Sequence, residues 1–308
     1  MSNITLIQNY TTDQSNYVKY IIMQTCYIPS IICSIFTLTN LLLNRNLRLA
    51  LHNHTSIILL FISIFDSFFN HPLTLNYLRI SHVVPSTDGL CLFWNFTNSI
   101  FVVSTYWTVA WGSIEKHLFI FYSTIFATQR RRILFHYIPL LITTFIYPVV
   151  SNIIIILFYP CENHFNMMSL YCAFPCALYI QSVALYTRFA HNFIPTFTVV
   201  GFTLALLVRV IKQKRQMQNN QFNWRKFRRM ISQLLLLVGL FLSVTLPATI
   251  VSIIQNCCLS TFAATLQTSY FNFLIRFLTM FMPFICLISF PEIWSKLLWW
   301  NNIQIHRA

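Results

Sequence analysis

The chain has 308 residues, of which 56% are hydrophobic and 8% are charged, and its 20 Lys and Arg against 6 Asp and Glu give a net charge of +14. A soluble domain carries roughly 25% charged residues, and no soluble core of this length could absorb so much apolar surface. A soluble globular protein is therefore excluded. In lipid every backbone group must be satisfied within the protein, so only helices of about 20 mainly apolar residues or closed barrels can cross. Barrel strands would read as short alternating segments. The apolar runs here are long and continuous, which predicts an all-α, seven-transmembrane helix bundle.

In chain order, residues 1–19 are polar and lack the basic start and apolar core of a cleavable signal. They read as an extracellular segment with glycosylation acceptors at Asn3 and Asn9, and the first span then serves as its own signal. Residues 20–290 form the membrane domain, with spans predicted at Tyr20 to Leu43, Ser56 to Leu75, Leu90 to Phe121, Ile133 to Phe158, Ile180 to Ile211, Met230 to Ile254 and Leu266 to Phe290. Two more sequons start at Asn53, in the first connection, and at Asn95, inside a span, and neither is expected to carry sugar. Residues 291–308 complete the chain as a cytoplasmic segment.

Basic residues set the orientation, because loops rich in Lys and Arg stay cytoplasmic. With the amino terminus outside, only Lys19, Arg79, Arg188 and Arg276 of the 20 fall on the outer half. Arg45, Arg48, Arg130, Arg131, Arg132 and the cluster from Arg209 to Arg229 face inward. Topology thus accounts for the positive charge; anionic membrane lipid is the expected partner of those loops, and nucleic acid is not.

Cys91 stands at the outer end of the third run and Glu115-Lys116-His117 at its inner end, followed in order by Pro195, Pro247 and Pro283. This arrangement resembles the rhodopsin-like (class A) G-protein-coupled receptors, and the resemblance covers almost the whole chain. It implies that Glu115 is the acid and Lys116 the cation of the family's inner-face triplet, closed by His117. Phe241, six residues before Pro247, matches the aromatic of the activation switch, and Pro283 matches the span-seven proline. Asn40 and Asp66 resemble the family's mid-membrane polar pair, with Thr105 and Thr279 at the heights of its sodium ligands. Pro291-Glu292-Ile293-Trp294 begins a short amphipathic C-terminal helix, with Trp299 and Trp300 as interfacial anchors.

Departures mark a divergent, invertebrate-type member. The family's Asn-Pro-x-x-Tyr reads Met282-Pro283-Phe284-Ile285-Cys286, Thr245 replaces the span-six tryptophan, and Lys116 lacks the planar fork of arginine. The resemblance implies a plasma-membrane receptor that binds an extracellular ligand in its outer half and activates a heterotrimeric G protein. The alternatives are a polytopic transporter and a receptor-shaped protein with weak or no coupling. A transporter would show inverted halves and glycine-interrupted helices, and the chain has only four glycines. No catalytic constellation, glycine-rich phosphate loop or cofactor motif is present in the sequence, so no enzyme and no cofactor are expected.

Of nine cysteines, Cys26, Cys33 and Cys286 fall within spans and Cys257 and Cys258 near the outer end of the sixth, as small buried hydrophobes. Cys91, Cys161, Cys172 and Cys176 lie on the oxidising side and allow three pairings. The resemblance favours joining Cys91 to Cys172 or Cys176, with the other two closing a bridge inside the second outer loop. Zinc, with His164 as a ligand, fits no standard spacing, and no metal is expected. In the outer half, Asn98 stands where amine receptors carry an aspartate, and Arg276 aligns with the opsins' retinal-binding lysine. Arg188, His191 and Arg276 together predict a ligand bearing a carboxylate or phosphate.

Overall fold

The computed structural model describes residues 2–216, 224–257, 262–263, 266–290 and 292–294. Seven long helices make up the described bundle. They are α1 (Ser2–Leu43), α2 (His54–Ile80), α3 (Asp88–Phe121), α4 (Gln129–Leu157), α5 (Gln181–Thr187, a π turn Arg188–Phe193, then Ile194–Gln216), α6 (Trp224–Cys257) and α7 (a π turn Gln267–Phe271, then Asn272–Ser289). Asn3 and Asn9 lie outside the described side chains, as do Cys257 and most of the basic stretch before Arg229. Cys258, Pro291, Trp299, Trp300 and the terminal helix beyond residue 294 lie outside the described residues.

Six helices are long and apolar enough to cross a membrane, and α3 is not among them. Length is no obstacle, since α3 has 34 residues. Its composition is more polar because other helices surround it: Asn95, Ser104, Thr105, Thr108, Ser113, Glu115, Lys116 and His117 are all buried. A span that meets protein on every side has no lipid to satisfy. The outer helices show the reverse pattern, with Ile32, Phe68, Phe145 and Phe158 exposed while Ser30, Ser34, Thr37 and Asn70 are buried. The apolar face points to the surroundings and the polar face inward, as a bilayer requires.

Local chemistry sets the element ends and bends. The Thr87 hydroxyl caps α3 by accepting from the Leu90 amide at 3.4 Å, and Asp88 complements the positive end of the helix dipole. In α4 the wide π turns Ile133–Tyr137 and Ile142–Ile146 are followed by Pro139 and Pro148. A proline removes one main-chain donor and crowds the preceding turn, which a wider turn accommodates. Gly112 sets the spacing of α2 and α3, since a Cβ there would lie 2.8 Å from Thr55 Cγ2.

Two disulfides staple the end of the bundle where α3 begins, the end expected to face outward and called outer below, joining Cys91 to Cys172 and Cys161 to Cys176. Cys26, Cys33 and Cys286 are free thiols. Asn53 and Asn95 are buried, and their amides donate to the carbonyls of Leu47 at 2.9 Å and Tyr171 at 2.6 Å.

Candidate functional site

A cavity of about 260 Å³ opens between the outer halves of α3 to α7 beneath the stapled loop. The loop lines it through Tyr171, Phe174 and Pro175, and Tyr171, Cys172 and Ala173 hold φ of 62°, 56° and 66°. Left-handed backbone at three successive non-glycine residues costs on the order of 1–3 kcal/mol each, and the disulfide at Cys172 is the anchor that holds it. The outcome is a buried Tyr171 ring packed edge-on against Trp94, centroids 5.0 Å apart, with its hydroxyl directed at α7.

That hydroxyl accepts from Arg276 Nε at 2.5 Å, and the guanidinium also lies over the Tyr171 ring at 4.6 Å. A second guanidinium nitrogen donates to Asn98 Oδ1. A third faces the Asp66 carboxylate at 3.8 Å. Burial pushes the Tyr171 phenol above its usual range, and the neighbouring guanidinium partly offsets this. Asp66 in turn accepts from Asn70 Nδ2 at 2.6 Å and Thr279 Oγ1 at 2.8 Å, with the His71 ring 3.6 Å away.

The expectation of an anion pocket is thereby altered. Asn98, His191 and Arg276 line the cavity, but Arg188 does not. Arg276 is 3% exposed and its charge is already answered by Asp66. The sodium reading changes for the same reason: Asp66 and Thr279 meet, yet the cation beside them is a guanidinium. The Thr105 hydroxyl donates to the Phe101 carbonyl at 2.8 Å instead, and the Asn40 amide donates to the Phe36 carbonyl at 2.9 Å.

Below the cavity, Tyr106 forms part of its wall and packs edge-on against the fully buried Phe241, centroids 5.0 Å apart. Phe241 belongs to the core cluster that joins α3, α5, α6 and α7 and that contains Met282. Pro247 and Pro283 lie inside α6 and α7, where each leaves a carbonyl without its helical partner.

At the inner end the Glu115-Lys116-His117 triplet is arranged differently from the sequence expectation. Glu115 does not pair with Lys116. It accepts from Thr55 Oγ1 at 2.9 Å and is bonded to His136 Nδ1 of α4. Neighbouring residues on a helix point about 100° apart, so a linear lysine stem does not turn back to the acid beside it. Lys116 is buried, with the Cys286 thiol as its electrostatic neighbour. His117 receives Arg209 Nη1 of α5 at 3.2 Å, and that guanidinium stacks 5.3 Å over Phe121.

His136 Nε2 also meets His54 Nδ1 at 2.8 Å, and His54 Nε2 donates to the Arg48 carbonyl at 2.9 Å. The contacts therefore run unbroken from the Arg48 carbonyl through two imidazoles to Glu115. Neither His54 nor His136 stood out in the sequence. The signal was an ionisable residue within an apolar run at Ile133 to Leu141, and nothing marked its partner 82 positions earlier. Among the described residues no group of three His, Cys, Asp or Glu has metal-binding geometry.

No family model matches this sequence, and no curated protein does. Among solved structures, the fold is similar to that of squid rhodopsin, with a TM-score of 0.72 and 16% identity over 92% of this chain and 80% of that one. As many as 633 solved chains match, so the likeness identifies a widely used scaffold and leaves ligand and chemistry to the residues above. The protein is a multi-pass helical bundle with a rhodopsin-like fold.

Proposed function

We propose that this protein is a plasma-membrane receptor of the rhodopsin-like type, with its amino terminus outside, that couples an extracellular ligand to a heterotrimeric G protein. The observation that carries the reading is the continuous side-chain contact from the outer cavity to the core: Tyr106 walls the cavity and rests on Phe241, which lies six residues from the α6 proline. A ligand that displaces Tyr106 moves the ring on which α6 pivots. Lys116, His117 and Arg209 at the inner end supply the cations of the G-protein contact, and Lys116 is buried here, as in a closed state. In this reading Glu115 is held by His136 and releases the inner ends of α3 and α4 when that bond breaks. Residues 1–19 face the outside, 20–290 form the receptor body and 291–308 lie along the inner leaflet.

Recruitment of a heterotrimeric G protein in living cells tests the proposal, with pooled amines, peptides, lipids and carboxylates as stimuli. The expected result is constitutive or ligand-driven recruitment that Lys116→Ala abolishes while surface expression persists. Substrate uptake without recruitment would establish the transporter alternative, and neither signal would leave a receptor-shaped protein without coupling.

A further inference from the structure

We infer that the outer cavity takes a small uncharged molecule carrying both hydrogen-bond donors and acceptors, such as an amide, and not an amine, carboxylate or phosphate. The inference rests on the reading of this cavity as a ligand site and adds the chemical class of the ligand.

Charge is the first consideration. Among the described residues that line the cavity there is no carboxylate and no lysine, so a cationic ligand finds no counter-ion. The single permanent charge is Arg276, and three fixed partners hold its guanidinium: Asp66, Asn98 and Tyr171. An anion would have to compete with a carboxylate that the fold has already buried beside it. Desolvating an anion without a free cation costs more than a single shared hydrogen bond returns.

The unspent groups are the second consideration, and they are neutral. His191 is 5% exposed, and its Nε2 is buried without a hydrogen-bond partner. Tyr147 and Tyr186 meet its ring edge-on, with centroids 5.8 Å and 5.7 Å away, and the residue lines the cavity. Gln267 Oε1 is likewise buried and unpartnered on the opposite wall. Both stand on π turns, Arg188–Phe193 of α5 and Gln267–Phe271 of α7, whose extra residue per turn rotates a side chain out of the regular helical face. A buried polar atom without a partner is costly, and a ligand that satisfies it recovers that cost.

Size is the third. At about 260 Å³ the cavity lies just below the roughly 300–1,000 Å³ typical of ligand sites, which suits a compact molecule and not a peptide. Six of its lining residues are carboxamides. Asn95, Asn98 and Asn152 are engaged with Tyr171, Arg276 and Ser99, which leaves Asn192, Gln267 and Asn272 as groups that can donate and accept toward a ligand.

The test uses the full chain purified in lipid nanodiscs and offered matched aromatic triplets of one to three rings, each a carboxamide, a carboxylate and an aminomethyl compound, with retention read by mass spectrometry. The carboxamide of a triplet is expected to be retained at least about tenfold better than its charged partners. His191→Phe and Gln267→Leu should each weaken that retention roughly tenfold, with the unfolding midpoint showing that each variant is folded. Preferred retention of a carboxylate or an amine overturns the inference, and so does retention of no compound at all. Because the readout contains no G protein, carboxamide retention without cellular recruitment sinks the coupling proposal alone. Recruitment driven by a carboxylate sinks this inference alone.

Discussion

The outer and inner halves of the bundle each bury one carboxylate, and in each the answering group comes from another helix. Asp66 of α2 meets Arg276 of α7, and Glu115 of α3 meets His136 of α4. The halves differ in the kind of partner. An arginine keeps its charge in any protein environment, so the outer pair is a fixed electrostatic bond on the cavity floor. A histidine holds its partner through hydrogen bonds and not through a permanent charge, so the inner pair is one link in the chain of contacts from Glu115 through His136 to His54. Under the proposed receptor function, the fixed pair lies where a ligand would seat and the hydrogen-bonded pair where the bundle would rearrange.

The largest expected effect comes from removing the fixed charge. Arg276→Met leaves Asp66 buried without a counter-charge and should cost about 3–5 kcal/mol of stability, measured by denaturant unfolding in nanodiscs. Adding Asp66→Asn should restore most of it, and a double variant as unstable as the single one would dissolve the outer half of the comparison. A smaller effect is expected at the inner end, where Glu115→Gln and His136→Phe should be non-additive by about 1–3 kcal/mol in a double-mutant cycle. Additive losses would mean that the two side chains are merely neighbours. The smallest effect is a null one. The unfolding midpoint should be the same in sodium as in potassium chloride, because the guanidinium already fills the cation's place, and Arg276→Gln should make sodium stabilising. A sodium-dependent midpoint in the unaltered protein would break the assignment of Arg276 as that cation.

Much of the architecture was legible from apolar length alone. Six of the seven predicted spans match their helices to within several residues, with gaps where polar residues extend a helix beyond the apolar run, as at Leu75 to Ile80 of α2. The largest gap is in α1, which begins at Ser2 and not at Tyr20, because the polar stretch before the apolar run continues the same helix. His191 and Arg276 were placed at cavity height from their distance to prolines and Asn98 from the family resemblance, and all three line it. Arg188 stands only three residues from His191 but does not line the cavity, and the π turn that holds both makes the facing side hard to foresee. Gln267 was invisible for the same reason.

Sequence by itself determined that this chain is a membrane-crossing helical bundle, because lipid admits few solutions and each leaves a long apolar signature. It also marked the four cysteines that join in the two disulfides, though not their pairing. Only the tertiary structure decided which charges cancel. Asp66 and Arg276 are 210 positions apart, and Glu115 and His136 are separated by 21, with a loop between them. Helix periodicity relates residues three or four apart, and nothing in it relates one helix to another. The change in expected ligand, from an anion to a neutral amide-like molecule, follows from that single undetermined contact.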